Sequence, residues 1–149
     1  DVMKESMNVA KTLAWNLTED TTKHQWLEYF KETMCQGLHI HCPEGGISKD
    51  GPSAGAAITT AIYSLLNKKR IKNTVAITGE ITLNGDITAI GGLDIKISYG
   101  IKAGVTTFLY PKDNHREYQL WYDSNKEYVD DIHFIEIDNI HQIFTHAFL

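Results

Sequence analysis

The residues best suited to chemistry lie in segment 49–55, which reads KDGPSAG and leads from a loop into a predicted helix. Small residues flank Ser53 on both sides, so a peptide backbone can approach its hydroxyl closely. Pro52 suits the first turn of a helix, where its missing N–H removes no intrahelical hydrogen bond. The unpaired N–H groups of that turn would stabilise the oxyanion formed when a serine attacks a carbonyl. The structural alternative is that Ser53 simply caps the helix.

A nucleophilic serine needs a base, and the chain offers two kinds. The Gly-x-Ser-x-Gly spacing around Ser53 permits the nucleophile elbow of an esterase, with a histidine further along the chain as its base. The Ser-x-x-Lys spacing of penicillin-recognising enzymes is absent, because position 56 is alanine. The histidines that follow Ser53 stand in no distinctive setting: His115, His133, His141 and His146.

Lys96 is the other candidate base. Leu93, Lys96, Ile97, Gly100 and Ile101 form a stripe with helical spacing, so Lys96 falls within an apolar helix face. Burial disfavours the charged ammonium and makes a neutral amine available as a base. The alternative is that the lysine stem lies along the core edge while its ammonium reaches water.

The elements that must position these residues alternate between helix and strand. This order predicts an α/β (or α+β) fold in one compact domain, with no linker to divide it. An Asn84-Gly85 pair predicts a hairpin over 81–88 with a type I′ turn. Helices are predicted over 2–17, around 26–30, over 52–66, over 93–102 and from 140, and a polar stretch at 18–23 ends the first of them. An amphiphilic stretch covers 118–128. Strands are predicted over 38–42, 74–77, 105–110 and 132–137.

Composition narrows the class of protein. The 149 residues carry a net charge of −5, which argues against a dedicated nucleic-acid binder. No apolar run approaches the length of a transmembrane helix, and residues 1–5 resemble neither a signal peptide nor a transit peptide. Cys35 and Cys42 form no disulfide framework, which favours reduced thiols in an intracellular, soluble protein.

A metal site is the other chemistry considered. His39 and His41 share one face of the predicted strand at 38–42, with Cys42 adjacent and Cys35 nearby. No second pair of ligands stands at a spacing typical of zinc sites, so ordinary strand packing is the favoured interpretation. We expect no metal in this chain.

Three separate motifs, in the same order and spacing, resemble the proteolytic domain of A-type Lon proteases. The motifs are KDGPSAG at 49–55, TGEITLNG at 78–85 and IGGLDIK at 90–96. The resemblance extends upstream to 2–6 (VMKES) and 39–45 (HIHCPEG), and downstream to 103–105 (AGV) and 110–114 (YPKDN). It therefore covers nearly the whole chain, and residues 1–149 are expected to form one Lon-like proteolytic domain.

The resemblance implies a serine peptidase with a Ser-Lys dyad. Ser53 would be the nucleophile and Lys96 the general base, with backbone N–H groups around Ser53 as the oxyanion hole. In the family, the threonine of the Thr-Gly-Glu motif hydrogen-bonds the catalytic lysine, which would make Thr78 the orienting group. Asp50 and Glu44 are further polar groups expected to orient Lys96 or to shape the substrate groove.

The resemblance also implies the setting in which the domain works. Related domains assemble as a homo-hexameric ring around a chamber, and an AAA+ ATPase domain precedes them and feeds in unfolded or damaged polypeptides. The ATPase and the first strands of the family domain would lie outside this chain. No Gly-x-x-x-x-Gly-Lys-Ser/Thr motif occurs, so ATP and magnesium are expected only on the separate ATPase domain. We expect no membrane or nucleic-acid partner, and localisation in the cytoplasm or the mitochondrial matrix.

The chain departs from the family pattern without touching the two dyad positions. Asp94 and Ile95 stand between Gly-Gly-Leu and Lys96, where the family usually has polar residues that often end in Glu, and Ser48 stands where Pro is common. Ile95 is expected to alter the rim of the site. Two competing functions remain open at this point: a non-catalytic docking module on a protease-like fold, and an esterase that pairs Ser53 with a downstream histidine.

Overall fold

The chain folds into alternating helices and short strands. The structure, a computed structural model, describes residues 1–35, 37–43 and 51–149. Short 3-10 turns at 112–114 and 126–128 flank α5. Within the described residues the elements are α1 Val2–Asn16, α2 Asp20–Thr33, α3 Gly55–Asn67, β1 Val75–Ile77, β2 Glu80–Ile81, β3 Ile87–Thr88, α4 Leu93–Lys102, β4 Thr107–Pro111, α5 His115–Asn125, β5 His133–Ile137 and α6 Ile140–Ala147.

The centre of the fold is a parallel sheet in the order β1-β4-β5. Ala76 pairs with Phe108, and Phe108 pairs with Phe134. Each parallel connection contains a helix, α4 between β1 and β4 and α5 between β4 and β5, as parallel strands require. The strands β2 and β3 form a separate antiparallel hairpin. This architecture confirms the predicted α/β class.

Strand β4 divides the core because its side chains alternate between the two faces of the sheet. Phe108 and Tyr110 pack with Ile97 of α4, whereas Leu109 packs with Ile137 and with the residues of α3 and α6 on the other side. All of these side chains are buried. The sheet therefore separates α4 and α5 from the helices on its opposite face.

Helices α1 and α3 pack together through small residues. Ala10 and Ala14 of α1 are fully buried against Ile62 and Leu66 of α3, which lets the two helices approach closely. Trp26 of α2 donates its indole N–H to the Leu66 carbonyl at 2.8 Å. None of these helices, nor any other in the described parts of the chain, is long and apolar enough to cross a membrane.

Most predicted elements are confirmed. The first helix, the helix at 93–102, the final helix and the strands at 74–77, 105–110 and 132–137 occur with ends shifted by at most two residues, and the amphiphilic stretch forms α5. The structure adds one point for 105–110, since Pro111 is the last residue of β4 and not its terminator.

Four local predictions are wrong, two of them only in the bounds of the element. Residues 38–42 form no strand. The first helix ends before the polar stretch at 18–23, as predicted, and the helix predicted around 26–30 occurs as α2. Its predicted extent is wrong, since α2 begins within the polar stretch at Asp20 and runs to Thr33, because helix formation tolerates a polar solvent-facing side. The helix predicted from Pro52 begins at Gly55.

The fourth wrong prediction is the type I′ turn. Gly85 alone of the pair has positive φ, at 88°. The Gly85 N–H donates to the Thr82 carbonyl and the Thr82 N–H to the Asp86 carbonyl, at 3.0 and 3.1 Å. The hairpin therefore uses a three-residue loop that ends in a left-handed glycine.

Candidate active site

Ser53 lies in a tight turn immediately before α3. The N–H of Gly55, the first residue of α3, donates to the Pro52 carbonyl at 3.0 Å and closes this turn. Pro52 therefore precedes the helix. The prediction from the sequence that Pro52 lies in the first turn of the helix is wrong. Ala54 is the N-cap, and no side chain of the described residues caps the helix. The capping role considered for Ser53 is therefore not the one its hydroxyl plays here.

The backbone around Ser53 is tethered to the segment between β1 and β2. The Gly79 N–H donates to the Ser53 carbonyl at 3.0 Å, and the Ala56 N–H donates to the Gly79 carbonyl at 3.0 Å. A Cβ at position 79 would lie 2.4 Å from Cγ2 of the buried Ile87, so only glycine permits this close approach. The position of Ser53 is thus determined by main-chain hydrogen bonds to a glycine.

The predicted stripe on α4 is confirmed, and it places Lys96 at the edge of the core. Leu93 and Ile97 on either side of Lys96 are 1% and 0% exposed, and Lys96 itself is partly buried. Gly100, one turn further on, allows α4 to approach the sheet, because a Cβ there would lie 2.5 Å from the Phe108 ring. Ile95, by contrast, is 59% exposed.

The electrostatic setting of Lys96 favours its neutral form. Burial lowers the pKa of the Lys96 amine below its usual value, and the Glu117 carboxylate opposes this shift by attraction. Desolvation is the larger of the two effects. A lowered pKa increases the fraction of unprotonated amine, which a base requires.

Ser53 and Lys96 line one cavity of about 280 Å³ between α3, α4 and the sheet. Thr78 and Tyr110 contribute its other polar groups. The rest of the lining is apolar: Ala54, Ala57, Ala76, Ile77, Leu93, Ile97, Phe108 and Leu109. The structure therefore brings together three of the residues singled out in the sequence, Ser53, Lys96 and Thr78.

The supporting residues have different outcomes. The Thr78 hydroxyl donates to the Ser53 carbonyl at 3.4 Å, which is a different partner from the lysine amine that the resemblance implied. Its role toward Lys96 stays a prediction. Glu44 and Asp50 lie outside the described residues.

None of the downstream histidines lines the cavity. His115 contacts the Glu136 carboxylate, and His133 and His141 are exposed at other places on the surface. His39 and His41 have ring centroids 6.4 Å apart. Across the described ranges, no group of three or more histidine, cysteine, aspartate or glutamate side chains is arranged to hold a metal ion.

Sequence reasoning missed how the start of α4 is held. The buried Asn114 side chain accepts from the Ile90 N–H at 3.0 Å and donates to the Ile90 carbonyl at 2.8 Å. Glu117 accepts from the Leu93 N–H at 3.1 Å and from the Asn114 amide at 3.1 Å. The sequence does show an asparagine three residues before a glutamate, just after a predicted strand. No local pattern, however, predicts which residues these two side chains hydrogen-bond.

Comparison with known proteins identifies the class of this domain. The chain is 41% identical to the Lon protease of Metamycoplasma arthritidis over 149 residues, and 39% identical to that of Mesomycoplasma hyopneumoniae over 149 residues. It is 38% identical over 151 residues to the mitochondrial Lon protease homolog of Candida albicans. Each comparison covers 99% of this chain but only 17%, 16% and 13% of the respective relative. The fold and these relatives show that the chain is a proteolytic domain, which belongs to the hydrolase class of enzymes.

The family can be stated more narrowly. The model of the Lon protease (S16) C-terminal proteolytic domain matches residues 1–149. The chain belongs to this family, as the three sequence motifs indicated.

Proposed function

We propose that this domain hydrolyses peptide bonds with Ser53 as nucleophile and Lys96 as general base. The observation that supports the proposal is that Ser53 and the Lys96 amine, with its lowered pKa, line the same cavity. Family membership supports the reaction class. The apolar lining of the cavity suits an apolar substrate side chain next to the scissile bond.

The two residues divide the chemistry. The neutral Lys96 amine takes the proton of the Ser53 hydroxyl as Oγ bonds to the carbonyl carbon, and the resulting ammonium gives the proton to the leaving amine. A water molecule then attacks the acyl carbonyl carbon while Lys96 takes its proton. The Lys96 ammonium returns this proton to the Ser53 Oγ as the ester C–O bond breaks, which releases the carboxyl product and restores both residues. Backbone N–H groups around Ser53 stabilise the oxyanion in both steps. Thr78, Asp50 and Glu44 are the supporting groups.

The domain is proposed to work as part of a larger, multidomain protein. It spans about one sixth or less of the relatives that it matches, which leaves room for an AAA+ ATPase domain that carries ATP and magnesium. Its substrates are unfolded polypeptides, it works in the cytoplasm or mitochondrial matrix, and it has no membrane or nucleic-acid partner and no cofactor of its own.

The assembly proposed is a closed homo-hexameric ring, because a peptidase that degrades unfolded chains needs its sites sequestered from folded neighbours. The isolated domain is expected to associate weakly, since it lacks the ATPase contacts that would help to hold the ring. Sedimentation over a range of concentrations tests this point, and a strict monomer at high concentration that rapidly degrades folded proteins would contradict it.

Substitution of the two residues tests the dyad. Ser53→Ala and Lys96→Ala should each reduce the hydrolysis of a small fluorogenic peptide by at least about 10³-fold, and Lys96→Arg nearly as much because a guanidinium stays protonated. Matched controls on α4 are Ser98→Ala and Lys102→Ala, both at exposed positions. Circular dichroism should show every variant folded.

The pH–rate profile tests whether the base acts in its neutral form. The base must be neutral, so kcat/KM should rise with pH through the pKa of Lys96, below that of an ordinary lysine because burial lowers it. Activity retained in Lys96→Ala, with a profile typical of histidine, would contradict the dyad and favour the esterase. Activity retained in Ser53→Ala would rule out the nucleophile assignment.

A further inference from the structure

The first turn of α4 is attached to α5 by a side chain whose negative charge also raises the pKa of Lys96. One carboxylate oxygen of Glu117 accepts from the N–H of Leu93, the first residue of α4. Its other oxygen accepts from the side-chain amide of Asn114. Lys96 lies one turn further along the same helix, so a movement of Leu93 would be transmitted to the amine.

The segment before α4 has little stiffness of its own. Gly91 and Gly92 separate Ile90 from Leu93, and Gly92 has the positive φ of 71° that favours glycine. Asn114 holds the N–H and the carbonyl of Ile90 at one end of this pair, and Glu117 holds Leu93 at the other. Two side chains from outside the helix therefore help to fix where α4 begins, in addition to the packing of Leu93 and Ile97 on the sheet.

Glu117 also acts on Lys96 through its charge. The carboxylate attracts the ammonium and opposes the effect of burial. In the described part of the chain, the other ionisable side chain at the cavity is Tyr110 of β4, whose hydroxyl donates to Glu136 at 3.0 Å. Asp94 and Lys102 of α4 itself are exposed.

We propose that Glu117 is a positioning residue for Lys96: it holds the first turn of α4 through the Leu93 N–H, and its carboxylate charge acts on the amine. The proposal rests on the proposed function, because it assigns Glu117 a role only if Lys96 is the base. A partly buried carboxylate at a helix N-terminus is electrostatically favourable in its own right, so the same group can stabilise the helix and tune the lysine.

Glu117→Gln tests the proposal because it removes the charge and keeps the size of the side chain. The midpoint of the kcat/KM–pH profile should move to lower pH, since burial then acts on the pKa of Lys96 unopposed. On the acidic limb, activity relative to the plateau should rise about 3–10-fold. The plateau itself should fall, because one of the two hydrogen bonds is lost.

The control is Asp123→Asn, which makes the same charge change two turns further along α5. Asp123 is exposed and its carboxylate pairs with Gln119, so the midpoint should not move. A uniform loss of activity at every pH in Glu117→Gln, with an unchanged midpoint, would reduce Glu117 to a structural residue and overturn the proposal. An equal shift in Asp123→Asn would do the same.

A second variant keeps the test decisive if Glu117→Gln does not fold. Glu117→Asp withdraws the charge by one methylene, so its midpoint should fall by a smaller amount, and a folded variant with the wild-type midpoint would overturn the proposal. Failure of the proposed function has a separate signature. It would appear as activity retained in Lys96→Ala, whatever the Glu117 variants do.

Discussion

The two halves of the candidate site are held in different ways. On the Ser53 side, the turn is held by main-chain hydrogen bonds. The Gly79 N–H donates to the Ser53 carbonyl, and the Gly79 carbonyl accepts from the Ala56 N–H. On the Lys96 side, the start of α4 is held by side chains, through Asn114 and Glu117 of the neighbouring segment. One half is built from main-chain geometry and the other from side-chain chemistry.

This difference predicts how each half responds to substitution. A main-chain bond survives most side-chain changes and is broken only by a group too large for the space. A side-chain bond is lost with a single polar group, and its partners are then left unpaired in a buried place. The serine half should therefore be sensitive to volume, and the lysine half to polarity.

The largest effect is expected from Gly79→Ala on the serine side. The added methyl would lie 2.4 Å from Cγ2 of Ile87, a buried and β-branched side chain that cannot easily move. We expect a loss of about 3 kcal/mol in the free energy of unfolding, with most of the peptidase activity, measured by urea denaturation and peptide hydrolysis. Gly91→Ala is the control, since a Cβ there meets nothing within 4 Å. Equal losses in both variants would contradict the volume argument.

Asn114→Ala should have the next largest effect, on the lysine side. It removes three hydrogen bonds of a 5% exposed side chain and leaves both polar groups of the Ile90 backbone without this partner. The expected cost is about 2 kcal/mol in the free energy of unfolding. Amide hydrogen exchange should accelerate most at Ile90 and Leu93. Asn125→Ala at the end of α5, which removes one hydrogen bond to the Trp121 carbonyl, is the milder control.

Thr78→Val should have the smallest effect on stability. It tests the comparison directly, because it removes a side-chain hydrogen bond from the half of the site that the main chain holds. The hydroxyl makes a long bond of 3.4 Å to a Ser53 carbonyl that Gly79 also holds. We expect a loss of about 0.5–1 kcal/mol in stability and a pH–rate midpoint that does not move. Thr78→Ser, which keeps the hydroxyl, should restore stability. A shifted midpoint with a large fall in kcat would instead support the lysine-orienting role implied by the family resemblance.

Local patterns in the sequence determined much of the fold and the two candidate residues. The apolar stripe on α4 placed Lys96 on a buried face, because helical spacing alone decides which residues share a side. The small residues around Ser53 indicated an accessible hydroxyl. The alternation of elements determined the α/β class, and three motifs in register indicated the family that the comparisons confirm.

The failures of sequence reasoning share a physical cause. The type I′ turn was predicted from the Asn-Gly pair, but the hydrogen bonds of Thr82 select a longer loop with only Gly85 in the left-handed region. The strand at 38–42 was predicted from alternation, yet alternation forms a strand only when a neighbour offers hydrogen-bond partners. Periodicity reports which face is apolar and not what that face meets.

Only the tertiary structure decided which residues meet at the site. Ser53, Thr78 and Lys96 come from three separate segments of the chain, and Glu117 of α5 is twenty-four residues away from its partner Leu93. Sequence alone leaves such pairings open, because the contacts depend on how the sheet stacks α4 and α5 on one face. The pKa of Lys96 follows from the same packing, since burial and a neighbouring carboxylate are properties of the folded chain.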